Sequence, residues 1–419
     1  MLAKIHRLKN VYFHRLDFEW RRIRKINRRI LLGKAITKLL GFASGILLLP
    51  VTVLLHFYGF RHVTIFTDRI GHLALEPDCL LKEKSMGHIP TRKWIMLAPP
   101  ARVANEHMLN YWKPHFYIVR NPIACMLIAN MSRWGLMRQD AARYIRAIGK
   151  AQAAYPIFAE WRYRPPLLQL TEQDKVWGTQ MLLNLGLPTD AWFVCVHVRE
   201  SGFSPIDEEL HCHRNGSTEN ILPAITEIVR RGGWVVRIGD NSMASLPRMT
   251  NVIDYAHHPL KSPRLDVLLC ALARFILGNT SGISLVGTIF GVPNALANMV
   301  PISAMGVGPL DISIPKLHWS IPKQRYLRFK ELFDSPISKS QFGKEYAEAG
   351  IRLDENSRED ILALVIEMFE NLDQSQAQQV YNNSAQYKFS ALMTQDHYSH
   401  GTISRISSSF LSRCKFLLQ

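Results

Sequence analysis

Residues 275–297, FILGNTSGISLVGTIFGVPNALA, constrain this chain more than any other stretch. Phe275, Ile276 and Leu277 form an apolar run too short for a helix and bounded by Gly278. Asn279, Thr280, Ser281 and Gly282 supply turn chemistry and capping side chains. Leu285, Val286, Ile289 and Phe290 recur at helical spacing, Gly291 stops the helix, and Pro293 leads into a second apolar run. The stretch reads strand, loop, helix, turn, strand, which is the repeating unit of a parallel sheet. A helix start behind small residues also turns free N–H groups and the positive end of the macrodipole towards any anion.

The alternation continues on both sides. Residues 192–198, WFVCVHV, predict a buried strand, 218–231 a helix, 234–238 a strand, 252–255 a shorter strand and 265–274 a helix. Upstream, residues 63–66, 94–97 and 117–119 read as strands with helices between them, and 357–372 reads as an amphipathic helix with Glu359 and Asp360 in its first turn. At 419 residues the chain is long enough for two domains. The expected class is α/β: a pair of Rossmann-type domains with parallel sheets, behind a separate N-terminal segment. The boundaries fall at 1–60 (basic and apolar segment), 61–170 (first α/β domain and connector), 171–372 (second α/β domain) and 373–419 (C-terminal tail).

The net charge of +17 is concentrated at the start. Residues 1–38 hold twelve Lys or Arg against Asp17 and Glu19, a net of +10. Residues 39–55, LLGFASGILLLPVTVLL, carry no charge, and 56–60 extend the apolar run to 22 residues. That length is near what spans hydrocarbon, although Pro50 mid-run favours a segment that dips into one leaflet. A transmembrane helix or a buried core helix are the alternatives. The expected partner of residues 1–60 is anionic membrane lipid; nucleic acid is not expected, because the charge adjoins an apolar run and no stacked aromatic motif is present. Six cysteines without CxxC spacing suggest a reducing compartment rather than a disulfide framework.

Ligands of open α/β sheets bind beyond the C-terminal ends of the strands. That rule selects His197, Arg199 and Glu200 after one strand, Gly239 and Asp240 after the next, and Thr280, Ser281, Gly282 and Ser284 after the third. Arg199 suits a diphosphate, Asp240 a ribose or base hydrogen, and the Ser-Gly turn a phosphate, with Arg214 within reach of the same group. His197 is equally readable as a core histidine, and Arg199 as a partner of Glu200. The chain has no GxxxxGK[ST], no GxGxxG after a strand, no GxSxG and no HExxH. It also lacks an Asp-x-Asp at a strand end, so no metal and no cofactor are expected.

The runs VHVRESG, HRNGSTENILPAI, GGWVVRIGD and FILGNTSGISLVGTIFGVPNALAN resemble a bacterial family of glycosyltransferases from surface-polysaccharide gene clusters, such as those for lipopolysaccharide or capsule. The His197-x-Arg199 strand end is also similar to fucosyltransferases that use GDP-fucose, although Glu200 stands where those enzymes have a second arginine. The resemblance implies the two-Rossmann GT-B fold, with the donor in the C-terminal domain and the acceptor against the N-terminal one. It implies a nucleotide sugar as donor, a glycan or lipid-linked acceptor, and a location on the cytoplasmic face of the bacterial inner membrane, or else a type II single-span arrangement. Catalytic candidates are Arg199, Glu200 and His197; Asp68, His72 and Glu76, from the DRIGHLALEPD loop and helix, are candidates on the acceptor side. A membrane-tethered scaffold of the same fold without catalysis is the alternative.

Overall fold

The computed structural model describes residues 39–145, 151–202, 205–373 and 384–419. Expectations for residues 1–38 lie outside these. The chain divides into two compact units, one comprising residues up to 63 with 92–99 and 117–139, the other comprising 64–91, 100–116 and 140–419.

The first unit carries a four-stranded sheet of order β3-β2-β1-β4, with β1 Phe60–Val63, β2 Lys93–Leu97, β3 Phe116–Val119 and β4 Arg138–Gln139. β1 pairs in parallel with both β2 and β4. β1 lies three residues before its expected position, because the apolar register of Phe60 and Val63 pairs with Lys93 and Met96. Its small core is Ile95, Met131 and Met137, against which Leu48, Leu55, Phe60, Leu97, Val119 and Ile128 pack. The helix Pro122–Met131 starts on Asn121, whose side chain accepts from the N–H groups of Ile123 and Ala124. The apolar run forms two helices, Leu39–Leu47 and Leu49–Phe57, bent by 58°. Pro50 sits in the first turn of the second helix, where a missing N–H costs least. No single helix among the described residues is long and apolar enough to cross a membrane.

The second unit is built on a seven-stranded sheet of order β14-β10-β9-β8-β5-β6-β7. Its strands are β5 Phe193–His197, β6 Trp234–Arg237, β7 Val252–Ile253, β8 Ile276–Gly278, β9 Asn294–Met299, β10 Ile312–Pro315 and β14 Arg405–Ile406. Every pairing is parallel. β5, FVCVH, is buried along its whole length, as a strand covered on both faces must be. From β5 the chain steps outward through β6 and β7, then returns to lay β8 on the other side of β5 and steps away through β9 and β10. The switch point of the sheet is therefore the β5–β8 pair. A separate antiparallel sheet joins β11 Leu317–Ser320 to β12 Arg325–Tyr326 and β13 Ile351–Asp354.

Two expectations are corrected here. Residues 384–419 are no tail: β14 pairs with β10, and Phe389, Phe410 and Leu411 are fully buried in the main core. The division at residue 61 also differs, since the helix Ile70–Ser85 belongs to the second unit. That helix runs on through Pro77. Pro77 cannot donate to the Leu73 carbonyl, and the Trp112 indole N–H takes its place at 2.9 Å.

Candidate functional site

A cavity of about 680 Å³ opens in the second unit, and the C-terminal ends of β5, β6 and β8 form much of its wall. Its size is that of a small-molecule or cofactor site, at the place where switch-point sheets bind ligands. Asp68, His72, His197, Arg199, Glu200, Arg214, Gly239, Asp240, Thr280, Ser281, Gly282 and Ser284 all line it. Of the residues singled out in the sequence, only Glu76 lies behind the wall, fully buried and accepting from His72 Nδ1 at 2.9 Å.

Arg199 and Arg214 are held by a network of hydrogen bonds to backbone and side-chain amide oxygens. The Arg199 N–H donates to Asn279 Oδ1 at 2.9 Å, and its Nε donates to Asn215 Oδ1 at 3.1 Å. Asn279 Nδ2 donates to the Arg214 carbonyl at 2.9 Å, and Arg214 Nε donates to the Thr280 carbonyl at 3.0 Å. One buried asparagine thus ties both arginine segments together, and it stands directly after β8. The amine of Lys316, buried nearby with its pKa lowered by desolvation, donates to the Asn215 carbonyl at 2.7 Å.

Glu200 lines the cavity as a brace. One oxygen accepts from the Thr218 hydroxyl, the other from the Ala244 N–H at 2.8 Å, and the buried Arg237 guanidinium lies 3.6 Å away. Arg237 also donates to Asp254 at 2.9 Å. His197 is buried, donates from Nδ1 to the Ile238 carbonyl at 3.1 Å, and has its pKa lowered to about 4 by desolvation, so it is neutral at ordinary pH. Asp240 accepts from the Ser242 N–H and hydroxyl at 2.9 and 2.5 Å.

The turn after β8 leads into a helix where the sequence places one. The helix Ser284–Ile289 has six residues, and Ser284 Oγ donates back to the Ser281 carbonyl at 2.8 Å. Gly282 packs on Gly71 so closely that a Cβ on Gly71 would lie 2.8 Å from Gly282 Cα. This glycine contact brings the start of the helix Ile70–Ser85, with His72, onto the turn after β8. Asp68, on the loop before that helix, is half-exposed and lies 3.2 Å from Arg102.

Sequence reasoning missed the floor of the cavity. Asp311 is buried there and accepts from the N–H groups of Asn294 at 2.8 Å, Val307 at 3.0 Å and Gly308 at 2.8 Å, which shapes the 304–308 loop. Tyr155 and the Lys261–Asp266 pair, 2.9 Å apart, also line the cavity. None of these belongs to a local motif; the only hint was an acidic residue, Asp311, inside an otherwise apolar stretch.

A scan of protein-family models finds no match, and neither does a search of curated proteins. Among solved structures the chain is similar to an ADP-heptose LPS heptosyltransferase II of E. coli, at 13% identity and a TM-score of 0.34, covering 56% of this chain and 83% of that one. A glycosyl transferase of family 9 from Veillonella parvula follows at 14% identity and a TM-score of 0.24, covering 54% and 60%. A UDP-GlcNAc 2-epimerase of Methanocaldococcus jannaschii gives 13% identity and a TM-score of 0.23, covering 73% and 74%. Likenesses this weak carry no functional argument.

Proposed function

We propose that the chain is a glycosyltransferase that moves a sugar from a nucleotide-diphosphate donor to a hydroxyl of a glycan or lipid-linked acceptor in surface-polysaccharide synthesis. One observation carries this reading: two arginines, tied together by Asn279, face a cavity at the switch point of a parallel sheet. Cleaving a sugar–phosphate bond leaves a diphosphate that gains negative charge in the transition state. Arginines already held in place stabilise that charge without reorganising. In this reading Arg199 and Arg214 take the diphosphate, and Asp240 takes the nucleoside end. Glu200 holds Arg237 and the 242–244 loop rather than touching substrate.

The attacking hydroxyl must lose a proton. His72 is the group suited to accept it. With Nδ1 bound to the buried Glu76 carboxylate, Nε2 is the nitrogen left for the hydroxyl, and the carboxylate stabilises the imidazolium that forms. Asp68, paired with Arg102, then positions the acceptor.

The test is a thermal-shift screen of the full chain against ADP-, UDP-, GDP- and CMP-linked sugars, with Arg199→Ala alongside. A ligand at about a hundred times its Kd adds roughly 2.7 kcal/mol of stability. One nucleotide stabilising the wild type but not the variant is the expected result. Equal shifts for both proteins, or none with any donor, would overturn the assignment.

A further inference from the structure

We propose that the first compact unit is a docking face for one leaflet of an anionic phospholipid bilayer. The face extends past the apolar run to residues 120–138. This inference is independent of the catalytic reading.

The helix pair is built inside out. Gly41, Gly45 and Thr52 are buried, with Ser44 half-buried, while Leu39, Leu40, Phe42, Ile46, Leu47, Val51, Leu54 and Phe57 are exposed. A helix of a water-soluble domain turns its leucines inward and its small polar residues outward. Here Asn130 Nδ2 donates to Ser44 Oγ at 2.8 Å and Thr52 Oγ1 donates to the Leu48 carbonyl, so the polar groups are satisfied on the protein side. Phe42 and Trp134 pack at 5.0 Å between ring centroids, which joins the pair to the segment after the helix Pro122–Met131.

That second element repeats the pattern. Ile123 and Met126, three residues apart and 65% and 54% exposed, share its outer face, while Cys125, Asn130 and Met131 are buried. Leu136 is exposed just beyond. Tyr58, Tyr117 and Trp134, all exposed, are the aromatic types that settle at a lipid–water boundary.

Charge identifies the occupant. The described residues of this unit contain Arg61, Arg92, Lys93, Arg120, Arg133 and Arg138, and no Asp or Glu. Residues 1–38 add the net +10 of the sequence. An apolar face on a unit whose described charged residues are all basic matches the acyl region and headgroups of an anionic leaflet, and the 58° bend suits a segment that enters and leaves on one side. A second copy of the chain would bring like charge against like.

The test is flotation of the full chain with phosphatidylcholine vesicles, with and without phosphatidylglycerol. Two paired variants are compared: Leu47→Glu with Phe57→Glu, and Ile123→Glu with Met126→Glu. We expect binding that needs phosphatidylglycerol and weakens in salt, and that falls about tenfold or more in each variant. Should a variant fail to fold, acyl-brominated lipid supplies the second readout: it should quench wild-type indole emission more than that of Trp134→Phe. Wild-type affinity in the Ile123→Glu, Met126→Glu protein would overturn the proposal. So would equal binding to neutral vesicles, quenching unchanged by Trp134→Phe, or a dimer that the glutamates dissociate without any vesicle binding.

Discussion

Replacing Gly282 by alanine tests the contact that joins the turn after β8 to the helix Ile70–Ser85. The new Cβ would lie 2.9 Å from the Gly71 nitrogen, 3.2 Å from its Cα and 3.2 Å from Ile70 Cγ2. Two of these three are backbone atoms, so no rotamer change relieves the clash; the turn or the helix must move by several tenths of an ångström. Overpacking of this kind costs about 1–3 kcal/mol. Gly282 lies outside the helix that begins at Ser284, so a gain in helix propensity does not offset the cost. For a unit of this size the loss corresponds to a fall of roughly 2–10 °C in Tm. The same displacement shifts Ser281, Ser284 and the Thr280 carbonyl that holds Arg214, so nucleotide-sugar affinity should fall beyond what stability explains. Differential scanning fluorimetry gives the first number, and donor titration of the folded variant at low temperature gives the second. A variant with wild-type Tm and wild-type donor affinity would refute the claim that a backbone contact shapes this site.

His72→Gln should lower kcat by about a hundredfold or more while leaving donor affinity within a few fold, measured by turnover and by calorimetric donor titration; comparable losses in both would remove His72 from proton transfer. Asp311→Ala strips the acceptor from two buried N–H groups and a part-buried third, and should destabilise by about 3 kcal/mol or more, read from denaturant unfolding. Burial lowers the pKa of His197 and His318 to about 4 and of His213 to about 3, so the unfolded chain takes up protons that the folded one refuses. The stability each group supports is whole above about pH 6.5 and is lost as pH falls towards 4, at up to about 1.4 kcal/mol per pH unit per histidine. His213→Phe removes one such group, whose ring nitrogens have no hydrogen-bond partner among the described residues; unfolding at several pH values should show a shallower acid slope.

The second unit was legible because parallel sheets leave a strong local signature. β5, β6 and β8 are continuous apolar runs closed by glycine or charge, and the ligand rule for strand ends then picks Arg199, Asp240 and Thr280 without any tertiary information. The roles within the site were less legible. Nothing local distinguishes Glu200, held by Thr218 and Ala244, from a carboxylate free to take a proton. Nor does sequence spacing show that Glu76 faces His72 rather than the cavity, although the i, i+4 interval permits it.

The C-terminal residues were less legible because polarity patterns report what a side chain prefers, and the partner that meets the preference lies elsewhere in the chain. Residues 373–419 read as a tail, yet Gln386 accepts from the Ile406 N–H at 3.0 Å and Ser407 donates to Glu367 at 2.7 Å, so these polar groups serve the edge of the sheet. The leucine-rich run had the opposite fate. Its glycines and hydroxyls meet the protein, through Asn130, Arg133 and Trp134, and apart from Leu48 and Leu55 its leucines are exposed among the described residues. A core helix would have chosen the reverse. The proposed anionic leaflet would cover that exposed face and match the charge of the basic residues beside it.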